Sequence, residues 1–217
     1  MVSTTELRMP VRLRRGLYAI TPELDDTAEL VALVDAVLAG GAVMLQYRHT
    51  QGNAELRFAQ AALLAELCRS AGVPLIINDD PRLARAVGAS GVHLGREDGS
   101  VAEARAILPE GIIGVSCYDD FTIAERALAA GADYIAFGSF FPSSTKPAAA
   151  RAGIGLLARA SALEPRPRVV AIGGITPANA AALVDAGCDQ LAVIQSLFGA
   201  PDPAAVATEF RRLYEHA

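Results

Sequence analysis

The sequence has 217 residues, of which 52% are hydrophobic, and a formal net charge of −5. This length is ordinary for one closed α/β barrel, and the apolar content is ample for a large core. The acidic balance argues against a nucleic-acid partner, because a phosphate backbone demands a basic face. No apolar run approaches the roughly 20 residues that span a bilayer, which argues against a membrane protein.

The amino-terminal segment 1–15 is basic but lacks the apolar stretch of a signal peptide. We expect a flexible lead-in there, followed by one domain over residues 16–217. Cys68, Cys117 and Cys188 are scattered, and no pair has the spacing of a metal or redox site. This pattern fits a reducing compartment, so we expect a cytoplasmic protein.

Eight short apolar runs bounded by turn residues predict β-strands. They are GLYAIT (16–21), VMLQYR (43–48), PLIIN (74–78), GVHL (91–94), IIGVSC (112–117), YIAFG (134–138), VVAIG (169–173) and QLAVI (190–194). The segments between them have helical spacing. In the first of these segments, Asp25 and Asp26 stand where an N-cap is wanted, and one apolar stripe is formed by Leu30, Val31, Val34, Val37 and Leu38.

A repeated phrase marks four of the joints between helix and strand. The copies are AGGAVML (39–45), VGASGVHL (87–94), AGADYIAFG (130–138) and AGCDQLAVI (186–194). Each is a helix end closed by glycine and followed at once by a buried strand, which indicates repeated βα units. Eight such strands alternating with helices predict a single-domain α/β protein with a (β/α)8 (TIM) barrel. The alternative is a doubly wound sheet, but no GxGxxG follows the first strand.

Active sites of such barrels lie at the carboxyl ends of the strands, and polar residues stand there in this sequence. From the second strand to the eighth, they are Gln46-Tyr47-Arg48, Asn78-Asp79-Asp80, Gly95-Arg96-Glu97-Asp98, Ser116, Ser143-Ser144-Thr145-Lys146, Gly173-Gly174 and Gln195-Ser196. Arg48 closes an otherwise apolar run, where burial disfavours a charge. It forms a structural ion pair with Asp79, binds an anion, or does both.

Asp79 and Asp98 come from adjacent strands, so their carboxylates can converge on one cation. Mg²⁺ prefers a few carboxylates together with waters and ligand phosphates. Asp80 and Glu97 are neighbours that would serve as well. Asp98 also precedes Gly-Ser, where it would cap a helix instead.

The segment AIGGITPANA predicts a strand, a glycine pair and a helix that starts near Thr176-Pro177. Accessible backbone N–H groups and helix N-termini attract anions, and the last two loops are the common phosphate site of this fold. A tight turn without a ligand is the alternative. With Arg48, Lys146 and Mg²⁺ on the other side, we expect two anion sites at one mouth, which suits two phosphorylated substrates or one substrate with two phosphate ends.

Histidine contributes little to this picture. His93 lies inside a buried strand, where we expect a satisfied core residue, and His49 adjoins Arg48 at the rim. No Ser-His-Asp or Cys-His order stands out.

The combined runs resemble the thiamine-phosphate synthase (thiamine-phosphate pyrophosphorylase) family. They are MLQYR, IINDDPRLARAVGASGVHLGRED, GVSCYD, YIAFGSFFPSSTKP and VVAIGGITPANA with LAVIQSLFGA, in this order between Gly16 and Ala200. The resemblance implies an alkyl transferase that joins 4-amino-2-methyl-5-(diphosphooxymethyl)pyrimidine to 4-methyl-5-(2-phosphooxyethyl)thiazole, giving thiamine phosphate and pyrophosphate. In that family the diphosphate leaves first, and the thiazole nitrogen captures the pyrimidine cation.

The resemblance also implies residue roles. The pyrimidine diphosphate would be bound by Gln46, Arg48, Asn78, Ser116 and Lys146, of which Arg48, Lys146 and Ser116 would assist catalysis. Asp79 and Asp98 would hold Mg²⁺. The thiazole phosphate would be contacted by Ser143, Ser144, Thr145, Gly174, Ile194 and Gln195.

Two positions depart from the family pattern. Thr50 stands where the family commonly has a diphosphate-binding lysine, a contact worth about 1–3 kcal/mol, and Arg96 or His49 would have to replace it. Gln195 stands where a serine is usual, although backbone contacts would survive that change.

Two alternative functions stay open. A thiazole tautomerase-like relative would lack the Asn78-Asp79 pair and carry a histidine near the fifth strand, where this chain reads Ser116-Cys117-Tyr118. A non-catalytic barrel that binds thiamine or its precursors would have no reason to keep paired carboxylates beside a cationic loop. The sequence also leaves open whether the protein is a homo-oligomer.

Overall fold

The computed structural model describes residues 13–142 and 151–215. Within these ranges the strands close into a parallel barrel, in which each strand pairs with its neighbours in sequence and the first strand pairs with the last. The strands are β1 (Gly16–Ile20), β2 (Met44–Tyr47), β3 (Leu75–Asn78), β4 (Gly91–Leu94), β5 (Ile112–Tyr118), β6 (Tyr134–Gly138), β7 (Arg168–Ile172) and β8 (Gln190–Val193). This confirms the predicted (β/α)8 barrel.

Helices follow the strands on the outside of the barrel. They are α1 (Thr27–Ala39), α2 (Ala54–Ala71), α3 (Pro81–Val87), α4 (Val101–Ile107), α5 (Phe121–Ala129), α6 (Gly155–Ser161), α7 (Ala181–Asp185), α8 (Gln195–Phe198) and α9 (Pro203–Arg212). Asp26 caps α1 by accepting hydrogen bonds from the N–H groups of Ala28 and Glu29, as expected for one of the two candidate caps. No helix in the described ranges is long and apolar enough to cross a membrane.

The core has two concentric layers because successive strand residues face opposite sides. Leu17 and Ala19 of β1 pack outward against the helices, whereas Tyr18 and Ile20 point into the barrel. Tyr134 also fills the barrel interior, and a Cβ atom at Gly114 would lie 1.9 Å from its Cζ atom. Glycine at position 114 therefore makes room for the Tyr134 ring.

The repeated glycine phrase positions the amino ends of the strands. Ser90 Oγ accepts a hydrogen bond from the N–H of Leu75 at 3.2 Å. In two later copies, an Asp133 oxygen accepts from Ile113 at 2.8 Å, and an Asp189 oxygen accepts from Val169 at 2.9 Å. In each of these three cases, the residue before a strand thus fixes the start of the preceding, neighbouring strand by the same kind of hydrogen bond.

Part of the expected lead-in packs against the amino end of the barrel. Leu13 is buried in the inner core, and the Arg14 carbonyl accepts a hydrogen bond from Gln190 Nε2 at 3.0 Å. Segment 1–12 lies outside the described residues.

Candidate active site

A cavity of about 400 Å³ opens at the carboxyl ends of the strands. Seven of the predicted site residues line it: Gln46, Arg48, Asn78, Ser116, Gly174, Ile194 and Gln195. Asp79 and Thr50 line a smaller adjoining cavity of about 180 Å³. Ser143, Ser144, Thr145 and Lys146 lie outside the described residues, so their assignment stays a prediction.

Asp79 and Asp98 come together at the mouth, as their positions after adjacent strands predict. Their side chains are in hydrogen-bond contact, and burial together with this facing carboxylate raises the pKa of Asp79 from 3.8 to about 6, against the opposing effects of Arg48 and Asn78. Asn78 Nδ2 donates to Asp79 Oδ2 at 2.5 Å. Asp79 also has a left-handed φ of 64°, a conformation that a non-glycine residue adopts at some energetic cost.

The neighbouring acids have other positions and partners. Asp80 caps α3 by accepting from the N–H of Leu83 at 2.8 Å, and Glu97 is exposed. Asp98 does not cap a helix, because α4 is capped by Ser100, while an Asp98 oxygen accepts from the N–H of Gly95 at 2.8 Å. The two carboxylates best placed to face one ion are therefore Asp79 and Asp98.

The donor set at this pair fits a magnesium ion. No cluster of three or more His, Cys, Asp or Glu side chains suited to a metal occurs among the described residues. Mg²⁺ does not need one, because it usually keeps several waters and binds through one or two carboxylates together with substrate phosphates. Asp79 and Asp98 are half-buried carboxylates in contact, and a cation between them would relieve their mutual repulsion.

Arg48 forms an ion pair with Glu23 rather than the structural pair with Asp79 that the sequence left open. Thr50 Oγ1 donates to the same carboxylate, at 2.9 Å to Oε1 and 3.1 Å to Oε2. Burial raises the pKa of Glu23, but hydrogen bonds from Thr50 and Gln51 and the charge of Arg48 outweigh it, so that the pKa is lowered overall. Glu23 thus occupies an anion-binding corner made by the residues predicted to meet the diphosphate.

The two proposed substitutes for the missing lysine have partners of their own. His49 is buried, and its Nε2 lies 3.1 Å from Asp25, while its Nδ1 accepts from the N–H of Gly52 at 2.9 Å. The Arg96 guanidinium lies over the ring of Tyr118, 4.8 Å from its centroid. Neither lines the main cavity, as Arg48 does, although His49 lines the smaller one.

His93 is satisfied by hydrogen bonds, as expected, but it also lines the cavity. Its Nδ1 lies 2.9 Å from the Tyr134 hydroxyl, and its Nε2 lies 2.8 Å from Ser116 Oγ. Burial lowers the pKa of His93 to about 4, against the opposing charge of Asp98, so the ring is neutral at pH 7. The Tyr134 hydroxyl also contacts the Tyr18 hydroxyl, which accepts a hydrogen bond from Gln46.

The glycine pair after β7 is tightly packed against the loop that follows β6. A Cβ atom at Gly173 would lie 2.1 Å from Ser139 Oγ, and one at Gly174 would lie 2.2 Å from the Pro142 carbonyl oxygen. Both glycines also have left-handed backbones, with φ of 103° and 65°. The pair therefore lets the backbone of one loop approach that of the other at the edge of the cavity.

The helix predicted to start near Thr176-Pro177 begins instead at Ala181. The side chain of Asn179 accepts from the N–H of Thr176 at 2.9 Å and donates to the Gly174 carbonyl at 3.0 Å. Such side-chain bonds compete with helix formation and hold a turn instead. The predicted helix start was therefore wrong, because the side chain of Asn179 holds the preceding residues in a turn.

Two groups of site residues escaped the sequence analysis. Glu23 stands three residues beyond the end of β1, and a search of the first strand's carboxyl end would have found it. Tyr18 and Tyr134 are polar-tipped residues inside apolar strands, and each faces the barrel interior as His93 does. Polar atoms recurring within buried strands are the signal that would have revealed them.

The closed barrel and its polar mouth define an enzyme of the (β/α)8 class that acts on small molecules in a cavity at the carboxyl ends of its strands. Comparison with known proteins identifies the family to which this chain belongs. The family model described as thiamine monophosphate synthase matches residues 17–197. The thiamine-phosphate synthase of Thiobacillus denitrificans is 58% identical over 200 residues, covering 92% of this chain and 94% of the relative. That of an Azoarcus species is 55% identical and covers 92% of this chain and 97% of the relative.

A solved structure agrees with these relatives. Thiamine phosphate pyrophosphorylase from Pyrococcus furiosus superposes with a TM-score of 0.85 at 33% identity, covering 94% of this chain and 98% of that one. The chain therefore belongs to the thiamine monophosphate synthase family. It is a transferase that condenses a pyrimidine diphosphate with a thiazole phosphate to give thiamine phosphate.

Proposed function

We propose that the pyrimidine substrate lies in the main cavity between Gln46 and Ser116, with its diphosphate directed to Arg48 and to Mg²⁺ held by Asp79 and Asp98. The observation that carries this proposal is the convergence of Gln46, Asn78 and Ser116, which come from three different strands, on one cavity beside the carboxylate pair. The thiazole phosphate is assigned to the backbone around Gly174, Ile194 and Gln195, on the opposite edge of the same cavity.

The reaction breaks the bond between the pyrimidine methylene carbon and the diphosphate oxygen, and the electron pair leaves with the oxygen. Arg48 and the Ser116 hydroxyl stabilise the negative charge that develops on that oxygen, because donors fixed in advance act strongly in a site that excludes water. Lys146 is assigned the same role from the family resemblance alone. The ring nitrogen of the thiazole then forms the new carbon–nitrogen bond, so no general base is required for this step.

The apolar part of the cavity positions the two rings. Val170, Ile172, Ala192 and Ile194 line it beside the polar groups. They can hold a flat ring and exclude water, which would otherwise compete with the thiazole for the cationic carbon. Holding both partners in alignment supplies much of the remaining acceleration.

Asp79 and Asp98 are the residues that would hold Mg²⁺. When bound, the ion supplies positive charge that stabilises the departing diphosphate. Asn78 supports this arrangement by donating its side-chain N–H to Asp79.

One assay tests the proposal. Both substrates are incubated with the enzyme with and without Mg²⁺, and thiamine phosphate is measured by fluorescence after oxidation. We expect product and an equal amount of pyrophosphate only when Mg²⁺ is present. Product formation that persists unchanged in EDTA would refute the metal assignment, and binding without any pyrophosphate would instead support the non-catalytic alternative.

Two further assignments belong to this proposal. The substrates are two small phosphorylated molecules, which agrees with a cavity lined both by Arg48 after β2 and by Gly174 and Gln195 after β7 and β8. A reducing, cytoplasmic setting is supported by Cys68, Cys117 and Cys188, all of which are free and buried.

A further inference from the structure

Five side chains inside the barrel form one continuous hydrogen-bonded chain. Gln46 Nε2 donates to the Tyr18 hydroxyl at 2.6 Å, which lies 2.9 Å from the Tyr134 hydroxyl. Tyr134 contacts His93 Nδ1 at 2.9 Å, and His93 Nε2 contacts Ser116 Oγ at 2.8 Å. The chain joins five different strands, and its two ends both line the main cavity.

The interior of the chain is buried, with Tyr18 and His93 forming part of the cavity wall. Tyr18 is 1% and Tyr134 is 0% exposed, and the two rings meet edge to face, with centroids 6.0 Å apart. The His93 ring stacks on Tyr134 at 5.5 Å between centroids. A hydroxyl proton without an acceptor is costly in such surroundings, so each proton of the chain must be directed at a neighbour in the chain.

Proton counting gives the chain a direction. Because Gln46 donates to Tyr18, the Tyr18 proton goes to Tyr134, and the Tyr134 proton goes to His93 Nδ1. His93 then carries its own proton on Nε2 and donates it to Ser116. Any other order, with this orientation of Gln46, gives Tyr18 or Tyr134 a proton that lacks an acceptor within the chain.

We propose that this chain is a positioning device for the pyrimidine substrate, in which His93 is fixed as the Nε2–H tautomer and Ser116 is thereby held as a hydrogen-bond donor to the cavity. At the other end, the Gln46 side-chain oxygen is left as an acceptor. The cavity thus presents one acceptor and one donor, and their polarities are coupled through the buried residues. With the Gln46 amide rotated by 180°, every hydrogen bond of the chain would reverse its direction, and Gln46 would present a donor and Ser116 an acceptor to the cavity.

This polarity matches an amino-substituted heteroaromatic ring that bears a nearby acceptor. The amino group donates to Gln46, and Ser116 donates to a ring nitrogen or to a diphosphate oxygen. The inference rests on the proposed placement of the pyrimidine, and it adds a reason why that ring is selected. A ring with a carbonyl oxygen in place of the amino group would place one hydrogen-bond acceptor against another, the Gln46 side-chain oxygen. His93 and Tyr134 act through Ser116 and Gln46 and are positioning residues.

The first arm of the test is spectroscopic and needs no substrate. Of the three histidines in the chain, His93 is assigned in the ¹⁵N spectrum of histidine-labelled, unliganded enzyme by its absence from a His93→Gln variant. We expect a protonated Nε2 and an unprotonated Nδ1. The opposite tautomer would mean that the chain runs the other way and would overturn the inference, whatever the outcome of the activity assay.

The second arm removes the central hydroxyl with Tyr134→Phe. The matched control is Tyr47→Phe, since Tyr47 is also a buried strand tyrosine, but its hydroxyl donates outward to Gln60 Oε1 at 2.8 Å. We expect Tyr134→Phe to let the His93 tautomers mix and to raise the KM for the pyrimidine diphosphate about tenfold, the effect of one lost hydrogen bond. The KM for the thiazole phosphate stays unchanged.

The two arms separate this inference from the proposed function. If Tyr134→Phe and Tyr47→Phe have the same kinetic constants and the same His93 spectrum, Tyr134 is only a packing residue and the positioning role is wrong. If the wild type makes no thiamine phosphate, the proposed function fails, while the tautomer measurement still decides the direction of the chain.

Discussion

Asp79 and Asp98 follow different strands, yet their carboxylates lie in hydrogen-bond contact at the mouth of the barrel. Two facing acids destabilise each other when both are ionised, and burial together with the facing carboxylate raises the pKa of Asp79. Folded proteins keep such pairs mostly where a cation or a shared proton relieves them. This relationship is the physical basis of the magnesium assignment.

We therefore expect Mg²⁺ to raise the melting temperature of the enzyme at pH 7 without any substrate. A ligand at ten times its dissociation constant stabilises a protein by about 1.4 kcal/mol, or about 3–6 °C for a domain of this size. Differential scanning fluorimetry with and without the ion measures this. Asp79→Asn and Asp98→Asn should each abolish the shift.

The control is Asp80→Asn, which removes one negative charge from the neighbouring residue while keeping a good N-cap for α3. It should retain the Mg²⁺ shift. If Asp80→Asn loses the Mg²⁺ shift and Asp79→Asn retains it, then Asp80 and not Asp79 binds the ion, and the assignment is contradicted.

Glu23 holds the guanidinium that we assign to the diphosphate, so substrate must displace it. We expect Glu23→Gln to lower the KM for the pyrimidine diphosphate about three- to tenfold, since the competing charge is worth about 1 kcal/mol at a partly exposed site. Steady-state kinetics measure this. The matched control is Asp25→Asn, which removes a nearby charge that contacts His49 rather than Arg48. An equal effect in both variants would indicate a general field effect and not release of Arg48.

Thr50→Lys tests whether position 50 faces the same anion corner. Thr50 now donates to Glu23, and a lysine there would neutralise Glu23 and add a cation for the diphosphate. We expect a lower KM for the pyrimidine substrate and an unchanged KM for the thiazole phosphate. A variant with wild-type constants would show that another group already supplies this charge.

Glu23 should also make stability depend on acid pH. Its pKa is lowered in the folded protein from the usual 4.5, so the folded state binds fewer protons than the unfolded state in this range. The stabilising contribution is complete above pH 4.5 and is lost as the pH falls through the lower folded value. The groups that face Glu23 are Arg48, Thr50 and His49, the last with Nδ1 at 3.9 Å.

Urea denaturation of the wild type and of Glu23→Gln, carried from pH 7 to below 4.5, measures this contribution. We expect the wild type to be the more stable protein at pH 7 and the two curves to converge at acid pH. A constant difference between them over the whole range would mean that the carboxylate contributes through packing and not through its charge.

The fold could be predicted from the sequence because it depends on local patterns. Apolar strands bounded by turn residues, together with glycine-closed helices, define the barrel, and the strand bounds differ from the predicted ones by no more than a residue. Asp79 and Asp98 could also be paired, since adjacent parallel strands end at the same edge. These inferences need only chain order and strand direction.

The rest of the site depends on contacts between side chains distant in sequence. The pairing of Arg48 with Glu23 joins residues 25 positions apart, and Tyr134 meets Tyr18 across 116 positions. Strand assignment alone gives no partner for a side chain that points into a barrel. The same limit explains the helix placed too early after Gly174, where the side chain of Asn179 decides the backbone.

Asp189 gives a test of stability at the end of the barrel opposite the site. It is 1% exposed, accepts from the N–H of Val169, and pairs with Arg166 at 3.0 Å and Arg168 at 3.2 Å. Both arginines are partly exposed, so the loss in an asparagine variant falls on the charge-assisted hydrogen bonds of the buried carboxylate, each worth about 1.5–3 kcal/mol. We expect Asp189→Asn to lower the free energy of unfolding by about 2–3 kcal/mol, measured by urea denaturation. The control is Asp185→Asn, because Asp185 is an exposed acid on α7; it should change the free energy of unfolding by less than about 0.5 kcal/mol.

Below the melting temperature, both variants should keep wild-type kinetic constants, because Asp189 precedes β8 whereas the cavity lies beyond the other end of that strand. Altered kinetics with unaltered stability in Asp189→Asn would show that this end of the barrel is coupled to the active site and does not serve only to anchor its strands.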